Sequence, residues 1–455
     1  MTVTSKLKRD RIFVLAMVTA LLSLSVRSDK AQAAPQSVAG TVATAHPGRV
    51  EVYAGIGAEL TQFEVDMENG TLVKRGSTTL PGRVGEGWVH PSRKHIYVPW
   101  SSSNQRSNHR FGVSAFRVDA VSGALTPNGP AAPLPASASN VTGDTTGTHL
   151  LAANRQDGVT VYTISPDGAI GAEVQQQGPF DIGIVQHQVR LNPSNKLAIL
   201  VTRGNYTHEQ YPTLDSQGPL KILEPGALKV FRYKDGLLTN EVSITQGNGF
   251  GFQARHMDFH FSLPWIYLTL EPQNRLYTYK DMGNTLSPEP LFIKETLADP
   301  GNVRPMQHAG SLHVHPNGKF VYVANRTNGT VEFEGKPILM GGENSIAAYS
   351  INQDTGEPTM IQNVDTQGIL PRTFAIDSSG RLLVVANQTA FSVRDGQIIR
   401  TVPASLVAFR IRSDGKLDFA SKYDLDTGAH GMTWSSPQGY TEGVSVSSVL
   451  VVSVP

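Results

Sequence analysis

The segment HPNGKFVYVANR, residues 315–326, shows the pattern from which the fold of this chain can be predicted. Pro, Asn and Gly precede an apolar run rich in Val, Phe and Tyr, and a polar residue ends the run. Strand-forming residues bounded by turn formers predict a β-strand that is entered through a tight turn. Five other stretches repeat this pattern: HPSRKHIYVPWS (90–101), DTTGTHLLAANR (144–155), NPSNKLAILVTR (192–203), HFSLPWIYLTLE (260–271) and DSSGRLLVVANQ (377–388).

The repeats recur every 48 to 68 residues, counted between their second positions. Most are followed by a further strand and a turn of the form DxxxGxL, as in VSAFRVDAVSGALT, IAAYSINQDTGEPT and LVAFRIRSDGKLD. A period of this length with about four strands and no helical periodicity is typical of one blade of a β-propeller.

A further blade can be assembled from the two ends of the chain. RVEVYAG (49–55) and ELTQFEVDMENGTL (59–72) lie near the N-terminus, and VSVSSVLVVSV (444–454) lies near the C-terminus. A blade that combines both termini closes the ring and removes a free sheet edge. We therefore predict an all-β fold, a seven-bladed β-propeller with four-stranded antiparallel blades closed by both termini. A miscount at the ends would make six or eight blades.

Composition narrows the classes of function. The 455 residues carry a formal net charge of +1, which excludes a nucleic-acid binder that works by bulk charge. The chain has no Cys, which excludes a disulfide framework, a thiolate nucleophile and a Cys-ligated metal. No His spacing resembles a zinc motif, so we expect no metal and no cofactor.

The first 33 residues form a separate segment. Four basic residues between Lys6 and Arg11 precede an apolar run from Ile12 to Val26, and Ala31-Gln32-Ala33 offers a cleavage site. This order predicts a secretory signal peptide over 1–33, then a flexible linker over 34–48 and a single propeller domain over 49–455. Without the signal the net charge becomes about −3 (+1 − 6 + 2). We expect an exported protein, periplasmic or extracellular, with no membrane span after signal removal.

Counting symmetrically about the turn of each repeat predicts which residues share one face of the ring. The residue that enters the first strand of a hairpin should lie opposite the residue that leaves the second. The predicted pairs are Gly85/Ser101, Ser139/Arg155, His187/Arg203, Arg255/Glu271, Gly310/Arg326 and Arg372/Gln388. Five Arg and one Glu on one face predict a site for an anion.

Three stretches of the later repeats resemble a known family. ARHMDFH (254–260) with IYLTLE (266–271), LHVHPNGKFVYVANR (312–326) and PRTFAIDSSGRLLVVANQ (371–388) are similar to the seven-bladed lactonases. That family includes bacterial 6-phosphogluconolactonases and fungal carboxymuconate lactonizing enzymes, and the similarity covers roughly residues 45–435. Ser311 departs from it, because many relatives have an acidic residue there.

The resemblance and the residue types together predict a lactone hydrolase. Glu271 would be a general base or proton carrier, Arg255 and Arg326 would stabilise the oxyanion, and His187 would be the second proton carrier. Substrate binding is expected from Arg372, Gln388, His256, Arg203 and Arg155. The partner would be a small anionic or sugar-like lactone, with no nucleic acid, and we expect a monomer.

Two alternatives remain open on the sequence. The same groups suit ring closure by a muconate-type lactonizing cycloisomerase. The second alternative is a non-catalytic propeller that binds a cell-envelope or extracellular partner. This alternative predicts an exposed apolar patch on the rim instead of a pocket. The longest insertions, 204–226, 327–345 and 389–404, follow second strands and are expected to rise from the Arg-bearing face as walls of the site.

Overall fold

The computed structural model describes residues 49–102, 110–208, 220–426 and 445–454. The predicted signal peptide and the predicted linker both lie outside the described residues. The described elements are almost entirely strands, with one short 3₁₀ turn at Gly247–Gly249. No helix among these residues is long and apolar enough to cross a membrane.

Thirty-six strands occur in the described residues. In chain order they are β1 (Val50–Ile56), β2 (Glu59–Val65), β3 (Leu72–Thr79), β4 (Arg83–Val84), β5 (Trp88–Val89), β6 (His95–Ser101), β7 (Phe111–Val118), β8 (Leu125–Pro127), β9 (Ala132–Leu134), β10 (Ala138–Gly143), β11 (His149–Asn154), β12 (Gly158–Ile164), β13 (Ile170–Glu173), β14 (Gln186–Leu191), β15 (Leu197–Thr202), β16 (Tyr206–His208), β17 (Leu220–Ile222), β18 (Ala227–Lys234), β19 (Leu237–Ile244), β20 (Ala254–Phe259), β21 (Trp265–Leu270), β22 (Arg275–Lys280), β23 (Phe292–Glu295), β24 (His308–Val314), β25 (Phe320–Arg326), β26 (Thr330–Phe333), β27 (Lys336–Leu339), β28 (Ser345–Ile351), β29 (Pro358–Asp365), β30 (Pro371–Ile376), β31 (Leu382–Asn387), β32 (Phe391–Asp395), β33 (Ile398–Val402), β34 (Ser405–Ile411), β35 (Leu417–Asp424) and β36 (Val446–Ser453).

The strands form seven antiparallel blades, which confirms the predicted fold class. From the innermost strand outward, blade 1 is β36-β1-β2-β3, blade 3 is β10-β11-β12-β13, blade 4 is β14-β15-β18-β19, blade 5 is β20-β21-β22-β23, blade 6 is β24-β25-β28-β29 and blade 7 is β30-β31-β34-β35. Blade 2 has the same four positions, but two are interrupted: β4 and β5 both pair with β6, and β8 and β9 both pair with β7.

Both termini contribute to blade 1. The C-terminal β36 is its innermost strand and pairs antiparallel with β1, from Val50 opposite Ser453 to Ile56 opposite Val446. The predicted closure of the ring by the two ends is therefore confirmed.

The apolar core lies between neighbouring blades. Seven clusters of buried side chains occur in the described residues, and each joins two adjacent blades around the ring. Because both faces of a blade are covered, its central strands carry continuous apolar runs such as FVYVA in β25. The outermost strands are far more exposed, as in β35.

Two repeated hydrogen bonds join consecutive blades and explain the sequence repeat. The second strand of a blade places a Tyr hydroxyl on the carbonyl of the turn Gly that follows the third strand of the next blade, at 2.9 Å for Tyr322 and Gly415 and 2.8 Å for Tyr97 and Gly168. The His that begins HPNG acts similarly: His315 Nε2 donates to the Gly380 carbonyl at 2.8 Å while its Nδ1 accepts from the Asn317 amide. Because this contact recurs between blades, these His residues have a structural role.

The predicted residue pairs are wrong in register, because five inner hairpins contain a β-bulge. Glu271 lies opposite Gln253 instead of Arg255, since its amide bonds the Gln253 carbonyl. His308, instead of Gly310, is the partner of Arg326. The bulges fall at the residues that symmetric counting selected, including His187, Arg255 and Arg372. A bulged residue leaves the ladder and its side chain is redirected, so the bulges change the partners of these residues and re-aim their side chains.

Each of the three long insertions contains a two-stranded ribbon: β16-β17 in blade 4, β26-β27 in blade 6 and β32-β33 in blade 7. The ribbons of blades 6 and 7 meet where the Arg394 guanidinium lies over the Phe333 ring, 4.1 Å from its centroid. Residues 209–219 of the first insertion lie outside the described residues.

Gly415→Ala is expected to destabilise the ring more than Gly396→Ala. Both glycines have positive φ, +82° and +62°, but a Cβ at Gly415 would lie 2.2 Å from Cδ1 of Phe320, whereas a Cβ at Gly396 meets no atom within 4 Å. Backbone strain costs about 1–2 kcal/mol at either position, and overpacking adds about 1–3 kcal/mol at Gly415 only. Urea unfolding of the two variants measures the difference, and equal midpoints would contradict this packing.

Candidate active site at the centre of the ring

A polar cavity of about 150 Å³ lies among the inner strands. Its lining comes from blades 1 to 7 and consists of Arg83, Val84, Gly85, Glu86, Ser101, Ser137, Ala138, Ser139, Arg155, His187, Arg255, His256, Ser311, Arg372, Thr373 and Ser447. Four of these residues are arginines and one is a carboxylate. The excess of positive charge suits an anionic ligand, as the sequence predicts.

Behind the cavity wall, the Glu271 carboxylate gathers three guanidinium groups. Arg255 Nη1 donates to Glu271 Oε1 at 2.6 Å, Arg326 Nη2 donates to the same oxygen, and Arg203 Nη1 donates to Oε2 at 3.2 Å. The Glu271 side chain is only 2% exposed and that of Arg255 3%. A carboxylate held by several guanidinium groups allows these charges to be buried together.

These arginines fix the ionisation of Glu271. Burial alone would raise the pKa of its carboxyl, but the charges of Arg255, Arg203 and Arg326 outweigh burial and hold that pKa well below 4.5. A carboxylate with such a low pKa is a weak proton acceptor near neutral pH. The geometry therefore favours a positioning role for Glu271, in which it holds Arg255 against the cavity.

Aromatic groups complete the surroundings of this carboxylate. The Arg203 guanidinium lies over the Tyr206 ring, 5.0 Å from its centroid, and Tyr206 contacts the His308 ring edge-on at 5.9 Å. Burial and the nearby Glu271 charge raise the pKa of the Tyr206 hydroxyl, which stays protonated at physiological pH. Tyr206 begins the ribbon of blade 4, so this insertion contributes directly to the arginine cluster.

Two histidine rings face each other in the cavity wall. His187 on β14 and His256 on β20 meet edge-to-face with ring centroids 4.8 Å apart. Burial, followed by the charge of Arg255, lowers the pKa of His187 well below 6.5. Burial also lowers the pKa of His256, although the Glu86 carboxylate acts in the opposite direction. Both imidazoles are therefore neutral at pH 7 and able to accept a proton.

Comparison with known protein families identifies the same architecture. The family profile described as "Lactonase, 7-bladed beta-propeller" matches residues 40–395. This chain belongs to the seven-bladed β-propeller lactonase family.

Named relatives of this lactonase-family chain span most of its length. A 6-phosphogluconolactonase of Bacillus subtilis is 26% identical over 76% of this chain and 89% of the relative, and one of Serratia proteamaculans is 25% identical over 70% and 82%. Among solved structures, the periplasmic gluconolactonase of Pseudomonas aeruginosa has a TM-score of 0.62 at 17% identity, covering 90% of this chain and all of that one. A protein from Lactobacillus plantarum has a TM-score of 0.61 at 19% identity, covering 89% and 99%. These structures share the fold.

The structure brings most of the predicted site residues of this lactonase-family chain to the axis. Those that line the cavity are Arg155, His187, Arg255, His256 and Arg372. Glu271, Arg203 and Arg326 lie one layer behind, in the arginine cluster. Gln388 is buried and its backbone bonds Leu370 and Val446, but it does not line the cavity.

Sequence reasoning missed Glu86 and Arg83, which line the cavity from blade 2, and Tyr206. Glu86 had a detectable signal, because it follows Gly85 as His256 follows Arg255 and Ser311 follows Gly310 in the predicted pairs. Ser311 lines the cavity too, and its hydroxyl donates to the Arg372 carbonyl at 3.0 Å. Within the described ranges, no group of three or more His, Asp or Glu is arranged to hold a metal ion.

Glu271→Gln is expected to lower the free energy of unfolding by about 3–5 kcal/mol, because it leaves buried guanidinium groups without a counter-charge. The folded-state pKa of Glu271 is depressed, so its stabilisation is present above 4.5 and is lost only as pH falls through that lower pKa. The gap between wild type and variant should therefore be the same at pH 7 and pH 5.5 in urea unfolding.

Glu357→Gln is the matched control, since Glu357 is 41% exposed and pairs with Lys294 at the surface. Its expected effect is under about 1 kcal/mol. A loss of unfolding free energy in Glu271→Gln as small as that of the control would contradict the positioning role of Glu271.

Proposed function

We propose that this chain hydrolyses a small anionic or sugar-like lactone in the central cavity. The observation that carries the proposal is a cavity that combines four arginines with two neutral imidazoles. Membership of the lactonase family supports it, as do relatives named 6-phosphogluconolactonase. A pocket at the axis is also the feature that favours an enzyme over a surface-binding propeller.

The reaction needs only water as co-substrate. A water oxygen bonds to the lactone carbonyl carbon, and the carbonyl electron pair moves onto its oxygen to give an oxyanion, while a water proton passes to a neutral histidine. Collapse of this intermediate breaks the bond between that carbon and the ring oxygen, which takes up the proton. The product is a hydroxy acid, and its ionisation releases one proton.

Each group in the cavity suits one part of this reaction. Arg255 lies where it can stabilise the oxyanion, because Glu271 fixes its guanidinium and it lines the cavity. Arg155 and Arg372 line the same cavity and would hold an anionic group of the substrate. His187 and His256 are both neutral, and this pair of imidazoles would carry the proton. Glu271 and Arg326 act through Arg255 as positioning residues.

The activity is tested by proton release from the purified protein in weak buffer, on glucono-δ-lactone, 6-phosphogluconolactone, glucarolactone, muconolactone and γ-butyrolactone. Arg255→Gln should lower kcat/KM about 10²–10³-fold, since it removes an oxyanion donor. Arg412→Gln is the control, because Arg412 is exposed and pairs with Asp414 on the outside of blade 7. No hydrolysis of any lactone by folded protein, or equal rates in wild type and Arg255→Gln, would contradict the proposal.

We also propose that the protein is exported. The support is the N-terminal order of basic residues, an apolar run from Ile12 to Val26 and Ala31-Gln32-Ala33. Expression with a C-terminal tag, followed by N-terminal sequencing of the exported fraction, should give a chain that begins near Ala34. An intact N-terminus found only in the cytoplasmic fraction would contradict export.

A further inference from the structure

Glu86 stands at an interruption of the innermost strand of blade 2, and no other innermost strand in the described residues is interrupted in this way. The innermost strand of blade 2 stops after Val84 and resumes at Trp88. Between these points the Glu86 backbone leaves its own blade and forms a parallel bridge to Asn140 of blade 3, through Val141 N to Glu86 O at 3.1 Å. The Glu86 side chain is 17% exposed and lines the central cavity.

The residues on either side of Glu86 make this interruption possible. A Cβ on Gly87 would lie 2.7 Å from the Tyr97 carbonyl oxygen, and one on Gly85 would lie 3.0 Å from Pro99 and 3.1 Å from the Ala138 carbonyl oxygen. At Gly87 only glycine fits without displacing the neighbouring backbone, and at Gly85 a Cβ would force its neighbours to shift by a few tenths of an ångström. The segment Gly85-Glu86-Gly87 is thus built to bring one carboxylate to the axis.

The carboxylate faces an imidazole that has no other hydrogen-bond partner among the described residues. Glu86 Oε2 lies 3.4 Å from His256 Nε2. His256 is 3% exposed, and neither of its ring nitrogens has a hydrogen-bond partner among the described residues. Buried ring nitrogens without partners are rare in folded proteins and commonly face a ligand or an ordered water. His256 also contacts the His187 ring, so the groups form a row of Glu86, His256 and His187.

We propose that Glu86 and His256 form a carboxylate–imidazole pair, in which Glu86 orients His256 so that His256 accepts the proton of the attacking water. This rests on the proposed lactone hydrolysis and adds a second carboxylate to the site. His256 is then a catalytic residue and Glu86 a positioning residue. The proton balance is unchanged, because the proton taken by His256 is returned to the ring oxygen when the lactone bond breaks.

The charges around the pair fit this division of roles. Burial lowers the pKa of His256, Glu86 raises it, and Arg255 and His313 lower it; the neighbouring His187 is neutral. For Glu86, burial would raise the pKa, but His256, His313 and Arg255 bring it to about 2, so this carboxylate stays ionised. Glu271, by contrast, is ionised but bound to arginines on both oxygens. Glu86 is therefore the carboxylate positioned to act on an imidazole.

The pair predicts a specific pH dependence. His256 must be neutral to accept a proton, so kcat/KM rises with pH through the pKa of His256. Glu86→Gln removes the negative charge that favours protonated His256, and the acid limb of the profile should therefore move to lower pH. The plateau of kcat/KM should fall about 10²-fold, because the imidazole loses its partner. A merely structural effect would lower the plateau and leave the limb in place.

The experiment uses Glu86→Gln, His256→Asn, the double variant and Glu357→Gln as the surface control. Profiles of kcat/KM against pH are recorded on the fastest lactone of the panel, and the His256 ring is titrated in parallel by NMR with ¹⁵N-labelled histidine. We expect Glu86→Gln to move the acid limb of the kcat/KM profile and the NMR pKa of His256 to lower pH together. The double variant should have the same kcat/KM as His256→Asn alone. Glu357→Gln should match wild type.

Other outcomes decide against the pair. The proposed pair is overturned if Glu86→Gln lowers kcat/KM but leaves the acid limb in place. It is also overturned if the NMR pKa of His256 is the same in Glu86→Gln as in wild type. The NMR titration also separates the two proposals, since it needs no substrate. If wild type hydrolyses no lactone, the proposed function fails, and a His256 pKa that still falls in Glu86→Gln retains the coupling of the two groups.

Discussion

Antiparallel pairing between β1 and β36 is the contact on which the rest of this architecture depends. It joins the first and last described strands in one blade, and it makes the C-terminal strand the innermost element of that blade. With the ring closed, seven inner strands surround one axis and each blade is covered on both faces. The continuous apolar runs of the central strands are the consequence, because neither face meets water.

Closing the ring does not by itself create the polar site. In a regular inner strand, successive side chains would simply alternate between the two faces of the blade. The bulges in the inner hairpins change that direction at His187, Arg255 and Arg372, where one residue falls outside the ladder. Blade 2 reaches the same result differently, by breaking its inner strand at Gly85-Glu86-Gly87. The polar residues of the axis are therefore placed by local departures from an otherwise regular repeat.

The two carboxylates at the centre of the ring differ in their neighbours. Glu271 is buried with three arginines and holds them in place, whereas Glu86 faces an imidazole within the cavity. Environment of this kind gives identical side chains different chemistry. The neutral His187 and His256 are the groups able to move protons at physiological pH, and the arginines supply fixed positive charge for an anion.

The blade repeat, the closing blade and the face that carries the arginines can be predicted from the sequence. Strand propensity, turn residues and the spacing of repeats are local properties, and they are enough to place HPNGKFVYVANR and its relatives. Symmetric counting about the turns predicts that Arg255 and His187 lie on the ring axis, and both line the cavity. The strand partners it predicts are wrong, because a β-bulge does not show as a change in composition.

Which of these residues contact each other depends on the closed ring. Arg203, Arg255 and Arg326 come from three blades, and their convergence on Glu271 depends on the ring geometry. Glu86 and His256 are 170 positions apart (256 − 86) and face each other for the same reason. Contacts across a propeller axis join residues with no relation in sequence, so their partners and their pKa values follow from the closed ring and from burial.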